Sequence, residues 1–221
     1  VAAEGFRRGF DAPKNFDKFW GKQLKTLRKC KMEPELTKVD LPRKVRDYDG
    51  LVELYALKIN MPEGRPVHAY IAWPVNVVPS SLPIVICLHG AGYSRSNADN
   101  AVRWAGKGTI AIDLNAHGYP DDQPKEYYDR LAKGDLKNYR NREVTGHEDF
   151  YFRLMYLRLV RALDYLTTLP QWDGKRVLIY GSSQGGAQTA ALAGIDSRVT
   201  AAMLEVPAYL LGRYGKGFSD V

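Results

Sequence analysis

Four short apolar runs without polar alternation, separated by helix-like segments, constrain the fold of this chain more than any other feature. The runs cover Ile84–Leu88, Thr109–Leu114, Arg176–Tyr180 and Val199–Val206. Runs of this kind are typical of parallel strands whose two faces are both covered by helices. Helices are expected between them, at about 97–106, 148–168 and 184–194. The alternation predicts an α/β fold with a mostly parallel, doubly wound sheet and right-handed crossovers.

The N-terminal part of the chain shows different patterns. Leu51–Asn60 and Val67–Trp73 alternate in polarity and are joined by a segment with Pro and Gly, which predicts an antiparallel hairpin at one edge of the sheet. Asn15 is a candidate N-cap for a helix that extends to about Arg28. We therefore expect one domain over residues 1–221, with a helical brace at 1–46 and a polar insertion at 119–145.

The charge of the chain is concentrated at one end. Residues 1–46 contain 13 Lys or Arg and 6 Asp or Glu, which accounts for the whole net charge of +7. A solvated basic helix explains this excess, and no nucleic-acid-binding module or basic stripe with ordered aromatics is visible. The most apolar helical segment carries three arginines, so no membrane span is expected.

Cysteine content and the N-terminus leave the compartment open between secreted, periplasmic and cytoplasmic. Cys87 lies inside an apolar run and is expected to be a buried free thiol, and nothing in the sequence suggests a bridge to Cys30. No signal peptide is visible, but the chain begins with Val1, so a leader or an upstream domain removed from it is compatible with the sequence. The sequence sets no oligomeric state.

The motif that carries chemistry is Gly-x-Ser-x-Gly at residues 181–185, directly after a buried strand and before a helix. This setting is that of the nucleophile elbow of α/β-hydrolases, with Ser183 as the nucleophile. Gly181 and Gly185 leave room for a sharp, strained turn, and the first amides of the helix point at the developing oxyanion. Ser182 is the competing nucleophile by adjacency, but the glycine spacing favours Ser183. A phosphate-binding loop is the alternative, although Gly-x-Gly-x-x-Gly is absent.

A second element, His89-Gly90-Ala91-Gly92, follows the strand Ile84–Leu88. A turn of this type supplies one oxyanion amide in esterases, so Ala91 or Gly92 is predicted as one donor and Gln184 as the other. The alternative is a plain strand-to-helix turn that uses glycine for backbone freedom.

Several stretches resemble acetyl xylan esterases and cephalosporin C deacetylases, which form carbohydrate esterase family seven. These stretches are Asn15–Trp20, Trp172–Gly186 and Arg198–Pro207. The resemblance implies a serine hydrolase that removes acetyl groups from carbohydrates without a metal or cofactor, with Ser183 as nucleophile and Gln184 and Ala91 as oxyanion donors. It implies a small-molecule or oligosaccharide ester as substrate.

The chain departs from that family in three places. Ala91 and Gly92 separate His89-Gly90 from Tyr93, and Asn115–Gly118 stands where the family has Arg-Gly-Gln. The family's catalytic acid and histidine follow two further strands, whereas 15 residues remain after Val206. We therefore expect the acid, the histidine and the last strands beyond Val221, in a longer enzyme.

Other residues are weaker candidates for the catalytic base and acid. The four histidines, which are His68, His89, His117 and His147, all precede Ser183, contrary to the usual order of Ser, acid, His. His89 is expected to brace its own turn, and Glu205 is a minor candidate for the acid. The tyrosines of the insertion (Tyr119, Tyr127, Tyr128 and Tyr139) either line a sugar site or pack the insertion on the body, and packing is favoured.

Two other functions remain open. One is an α/β-hydrolase of different specificity, such as a carboxylesterase or a peptidase, because the fold does not decide the substrate. The other is a catalytically inactive hydrolase-like domain that binds a carbohydrate or a partner through its cleft.

Overall fold

The computed structural model describes residues 13–93, 96–142 and 145–208 of the 221-residue chain. One sheet of seven strands forms its centre, in the order β1-β2-β3-β5-β4-β6-β7. The strands are β1 (Glu35–Lys38), β2 (Val52–Ile59), β3 (Val67–Pro74), β4 (Leu82–Leu88), β5 (Ile110–Leu114), β6 (Trp172–Ser182) and β7 (Ala201–Glu205).

Five α-helices lie within the same described ranges. They are α1 (Phe16–Lys29), α2 (Ala98–Ala105), α3 (Lys125–Lys133), α4 (Tyr151–Leu166) and α5 (Gln184–Ile195). Each of the four helices predicted from the pattern is confirmed to within a few residues. Asn15 precedes α1 as predicted, but its side chain makes no capping hydrogen bond.

The sheet is mixed, and its parallel strands have helices on both faces, which confirms the predicted α/β class. β4 pairs in parallel with β5 and β6, and β6 pairs in parallel with β7. The predicted hairpin is confirmed as the antiparallel pair of β2 and β3, and β3 also pairs antiparallel with β5. β1 adds a further antiparallel strand to β2, so the hairpin lies one strand inside the edge.

Two of the three hydrophobic clusters in the described residues pack against the sheet, one on each side. One side packs the alternate residues of β4 and β5, such as Ile86 and Ile112, against α1, α4 and α5. The other side packs Val52, Leu54 and Ala111 against α2. Helices on both faces leave the carboxyl ends of the parallel strands as the place where the connecting loops meet.

The prediction that the run at 199–206 is buried was wrong. All five residues of β7 are exposed, and Met203 retains 56% of its accessible surface. β7 is the outermost of the described strands on this side and pairs only with β6 among them, so no described strand covers its other edge. An apolar run reports hydrophobicity but not the position of the strand within its sheet.

Candidate active site

Ser183 lies between β6 and α5 in a backbone conformation that residues with a side chain rarely adopt. Its φ is 53° and its ψ is −116°. A conformation of this kind costs about 1–3 kcal/mol and persists only where its surroundings hold it. The Ser183 amide donates to the Glu205 carbonyl at 2.9 Å, and the Ser183 carbonyl accepts from the amides of Ala187 and Ala208 at 3.1 and 3.0 Å. The candidate nucleophile therefore occupies a strained turn that β7 and the following residues hold in place.

The two glycines of the motif allow the backbone segments around Ser183 to approach closely. A Cβ on Gly181 would lie 2.6 Å from the carbonyl of Gly185. A Cβ on Gly185 would lie 2.4 Å from the carbonyl oxygen of Leu88 and 2.8 Å from that of His89. Both contacts are with backbone atoms, which have no rotamer to change. The elbow and the end of β4 can be this close only because both positions are glycine.

The turn after β4 lies next to the elbow. A Cβ on Gly90 would lie 3.7 Å from the Ser182 carbonyl and 3.8 Å from the Ser183 Cβ. Ser183 is half-buried. The structure thus brings together Ser183, Gln184 and the turn that contains Ala91 and Gly92, whose amides were predicted as oxyanion donors.

Gln184 opens α5 and is fully buried. Its side-chain oxygen accepts a hydrogen bond of 2.6 Å from the Tyr139 hydroxyl. Its side-chain nitrogen has no hydrogen-bond partner within the described part of the chain. The role predicted for Gln184 uses its backbone amide, while its side chain ties the start of α5 to the insertion.

His89 braces its own turn. The Ala116 amide donates to Nε2 at 3.4 Å, so Nδ1 carries the proton and donates to the Gly90 carbonyl at 2.7 Å. Burial lowers the pKa of His89, which favours this neutral form. Because both ring nitrogens are engaged, His89 is not arranged as a base for Ser183.

His117 is a second buried brace on the same turn. Its Nε2 donates to the Gly92 carbonyl at 2.8 Å, and its Nδ1 lies 2.9 Å from the Tyr151 hydroxyl, from which it accepts. Burial lowers the pKa of His117 to about 4, so the ring is neutral near pH 7. Its position after β5 gave the expectation that it lies near the site, but its contacts are with Gly92 and Tyr151 rather than with Ser183.

The remaining candidates for acid and base do not complete a triad. Burial lowers the pKa of His68, which lies on β3. No hydrogen bond joins the Ser183 hydroxyl to His68, His89 or His117 among the described contacts. Glu205 contacts the elbow through its backbone carbonyl, and its side chain is exposed at the end of β7. His147 begins a short 3₁₀ turn before α4.

The tyrosines of the insertion mainly pack against the rest of the domain, which is the alternative that the sequence favoured. Tyr119, Tyr128 and Tyr139 retain 9% or less of their accessible surface. Tyr119 and Tyr139 belong to an apolar cluster with Phe152 and Met155 of α4. Their second role, the bond from Tyr139 to Gln184, was not anticipated, because nothing in the local pattern relates positions 45 residues apart.

A buried carboxylate anchors the segment that follows the turn. Asp113 at the end of β5 accepts from the Asn97 amide at 2.8 Å and from the Asn100 side chain at 3.0 Å. Burial raises the pKa of Asp113 to about 7. These bonds attach the start of α2 to the sheet beside the candidate site.

Within residues 13–93, 96–142 and 145–208, no group of three or more His, Cys, Asp or Glu side chains is placed to hold a metal ion. No helix in the same ranges has the length and apolar character needed to cross a bilayer.

Known proteins similar to this chain include esterases that act on acetyl groups. The chain is 32% identical over 199 residues to acetyl esterase Axe7A of Xylanibacter ruminicola, a match that covers 89% of this chain and 44% of that protein. The chain therefore spans less than half the length of this curated relative.

Two solved structures share the fold. An acetyl xylan esterase from a Paenibacillus species superposes with a TM-score of 0.69 at 25% identity, covering 92% of this chain and 62% of the other. Acetyl xylan esterase 1 from a Thermoanaerobacterium species gives a TM-score of 0.64 at 22% identity, covering 89% and 59%. The family model for acetyl xylan esterase (AXE1) matches residues 4–214. With the elbow, the adjoining turn and this match over nearly the whole sequence, the chain belongs to the acetyl xylan esterase family.

Proposed function

We propose that this chain carries the nucleophile of a serine carboxylic-ester hydrolase that removes acetyl groups from acetylated xylan or related carbohydrates. The observation that carries the proposal is the half-buried Ser183 at φ 53°, held between a parallel strand and a helix beside the turn at Gly90. Strain at a polar residue with this placement is typical of a nucleophile elbow. Membership of the acetyl xylan esterase family supports acetyl as the acyl group that is transferred to the serine.

In the proposed reaction, the Ser183 hydroxyl oxygen attacks the acetyl carbonyl carbon while a general base removes its proton. The negative charge that develops on the carbonyl oxygen is stabilised by the backbone amide of Gln184 and by that of Ala91 or Gly92. Each such donor contributes about 3–4 kcal/mol to transition-state stabilisation. The sugar alcohol leaves, and water then hydrolyses the acetyl-serine to release acetate.

The base must come from a residue other than His89 and His117, because both rings are fully engaged in bracing the turn. The expectation from the sequence, a histidine after residue 221 preceded by an acid, stays a prediction. An unassisted serine hydroxyl is a poor nucleophile, so the test requires the full-length gene product.

The test is acetate release from acetylated xylo-oligosaccharides by the full-length gene product, its S183A variant and its S182A variant. S183A is expected to lower the rate by at least about a thousandfold, because removal of a serine nucleophile abolishes the covalent route. S182A is the matched control and should retain most of the activity, since Ser182 lacks the strained conformation of its neighbour.

Other results would reassign the function. Cleavage of longer acyl esters without acetate release would indicate a carboxylesterase of different preference. Failure of a serine-directed phosphonate to label Ser183, together with inactivity on every ester, would indicate a binding domain.

A further inference from the structure

A buried pair of rings connects the two sides of the candidate oxyanion hole. His117 and Tyr139 meet edge to face, with ring centroids 4.7 Å apart and planes at 83°. His117 hydrogen-bonds the turn after β4, and Tyr139 hydrogen-bonds the first residue of α5. We propose that His117 and Tyr139 are positioning residues that hold the two amide donors of the oxyanion hole in register with Ser183. This inference rests on the proposed function.

The turn at Gly92 needs a restraint of this kind. A Cβ on Gly92 would meet nothing within 4 Å, so no described atom packs on that side of the residue. Glycine also has access to more of φ/ψ space than any other residue. The bond of 2.8 Å from His117 Nε2 to the Gly92 carbonyl therefore restrains the orientation of this peptide group.

His117 is itself held firmly enough to serve as an anchor. It is 1% exposed, its backbone amide donates to the Asn115 side chain at 3.0 Å, and its Nδ1 accepts from Tyr151 at the start of α4. The Arg142 guanidinium lies over the Tyr151 ring at 4.8 Å. The turn is thus connected through the residue His117 to the end of β5, by way of Asn115, and to the start of α4, by way of Tyr151.

Tyr139 provides the corresponding anchor on the helix side. Its hydroxyl donates to Gln184 Oε1 at 2.6 Å, and the two residues are 2% and 0% exposed. A hydrogen bond in such dry surroundings is stronger than one in water. The bond to Tyr139 restrains the Gln184 side chain and thereby limits rotation of the first turn of α5. The backbone amide of Gln184, which was predicted as an oxyanion donor, belongs to that turn.

The polarity of both residues supports a role beyond packing. A phenylalanine would fill the site of Tyr139 and make the same ring contacts with His117 and Phe152. The Tyr139 hydroxyl adds the bond to Gln184, and the His117 imidazole adds directional bonds to Gly92 and Tyr151. Misplacement of a reacting group by about 1 Å can lower a rate a hundredfold. Loss of these bonds should therefore move the two amide donors and weaken their stabilisation of the transition state.

The test compares Y139F, H117F and H117Q in the full-length gene product, with kcat and KM measured on an acetyl ester. Y139F and H117F are expected to lower kcat about 10- to 100-fold with KM within about twofold, because substrate contacts are unchanged. The rate of labelling by a serine-directed phosphonate should fall by a similar factor. H117Q should recover part of the loss, since its side-chain amide can still donate to the Gly92 carbonyl.

Y128F is the matched control. Tyr128 lies in the same insertion, is 9% exposed, and donates to the Pro120 carbonyl at 2.7 Å, away from the turn and the elbow. Y128F should lower the melting temperature as much as Y139F while leaving kcat unchanged. Circular dichroism on each variant separates misfolding from mispositioning, and if H117F does not fold, Y139F and H117Q carry the test.

The outcomes are distinct. An active wild type whose kcat is the same in Y139F and H117F overturns the positioning role and leaves the esterase function standing. A wild type that is inert toward all esters and unlabelled by the phosphonate overturns both. A selective loss of kcat in Y139F and H117F but not in Y128F supports the inference.

Discussion

Two buried polar residues behind the candidate site, His117 and Asp113, connect separate segments and have partners that offset the cost of their burial. His117 bonds to Gly92 and Tyr151, and Asp113 bonds to Asn97 and Asn100. An unpaired polar group in such a position costs about 1–3 kcal/mol. Gln188 on α5 departs from this rule, since neither its side-chain nitrogen nor its oxygen has a partner within the described residues.

The buried imidazole of His117 should make stability depend on pH. Its folded pKa of about 4 lies below the ordinary value of 6.5, so the unfolded chain binds a proton that the folded one excludes. The stability linked to His117 is therefore intact above pH 6.5 and is lost as the pH falls toward 4. Electrostatic repulsion from His89, Arg158 and Arg65 also disfavours the charged form of the His117 ring.

We expect the stability difference between wild type and H117Q to shrink by up to about 3 kcal/mol between pH 7 and pH 4, since one pKa unit corresponds to about 1.4 kcal/mol. Urea unfolding at both pH values measures this difference. Y151F serves as a control and should keep most of the pH dependence, because burial rather than the Tyr151 bond is the main cause of the shift. An equal acid loss in H117Q and wild type would rule out the assignment to His117.

At the scale of elements, the junction between β6 and α5 is the least tolerant of change. We expect G185A to destabilise the protein by about 3 kcal/mol or more, because its new methyl group would lie 2.4 Å from a backbone oxygen that cannot move away. G194A lies on the same helix with nothing within 4 Å of the added carbon. It should stabilise by up to about 1 kcal/mol, through helix propensity alone.

Thermal unfolding of the two variants checks this prediction. The opposite signs make the pair informative, because both changes add one methyl group to α5. A G185A variant as stable as wild type would mean that the elbow does not press against the end of β4.

The arginines of α4 illustrate how an element can be charged and still be buried. Arg153, Arg158 and Arg161 are 6%, 2% and 2% exposed. Arg161 donates to the carbonyls of Leu27 and Cys30 at the C-terminal end of α1, where a positive charge is favourable. Arg158 donates to the carbonyls of Arg65 and Ala116, the latter next to His117. In the sequence, these charged side chains indicated that α4 is not a membrane span. In the fold, their hydrogen bonds connect α4 to other segments.

At the scale of the whole molecule, the order of strands predicts a gradient of local stability. β4 lies between β5 and β6 with both faces covered, whereas β1 is an edge strand whose four residues are exposed. Amide hydrogen exchange of the full-length gene product should be slowest at Ile84–Leu88 and much faster at Glu35–Lys38, because the edge opens without global unfolding. Comparable protection in the two strands would contradict the placement of β1 at an edge.

The sequence alone was sufficient for those features that depend on short-range patterns. Apolar runs and helical periodicity predicted β4, β5, β6, the β2–β3 hairpin and four helices. Two glycines around Ser183 at a strand–helix boundary predicted the elbow. These patterns are local, because strand burial, helix periodicity and turn geometry each act over a few residues.

Only the tertiary structure decided which distant residues meet. The exposure of β7, the pairing of β1 with β2, and the contacts of His117 and Tyr139 with the two sides of the candidate oxyanion hole all depend on strand order and on the path of the insertion. Residues such as Tyr139 and Gln184 are brought together by packing across the fold, and neither residue type nor spacing identifies its partner. The candidate nucleophile could therefore be predicted from the sequence, whereas the contacts that hold its surroundings were seen only in the folded chain.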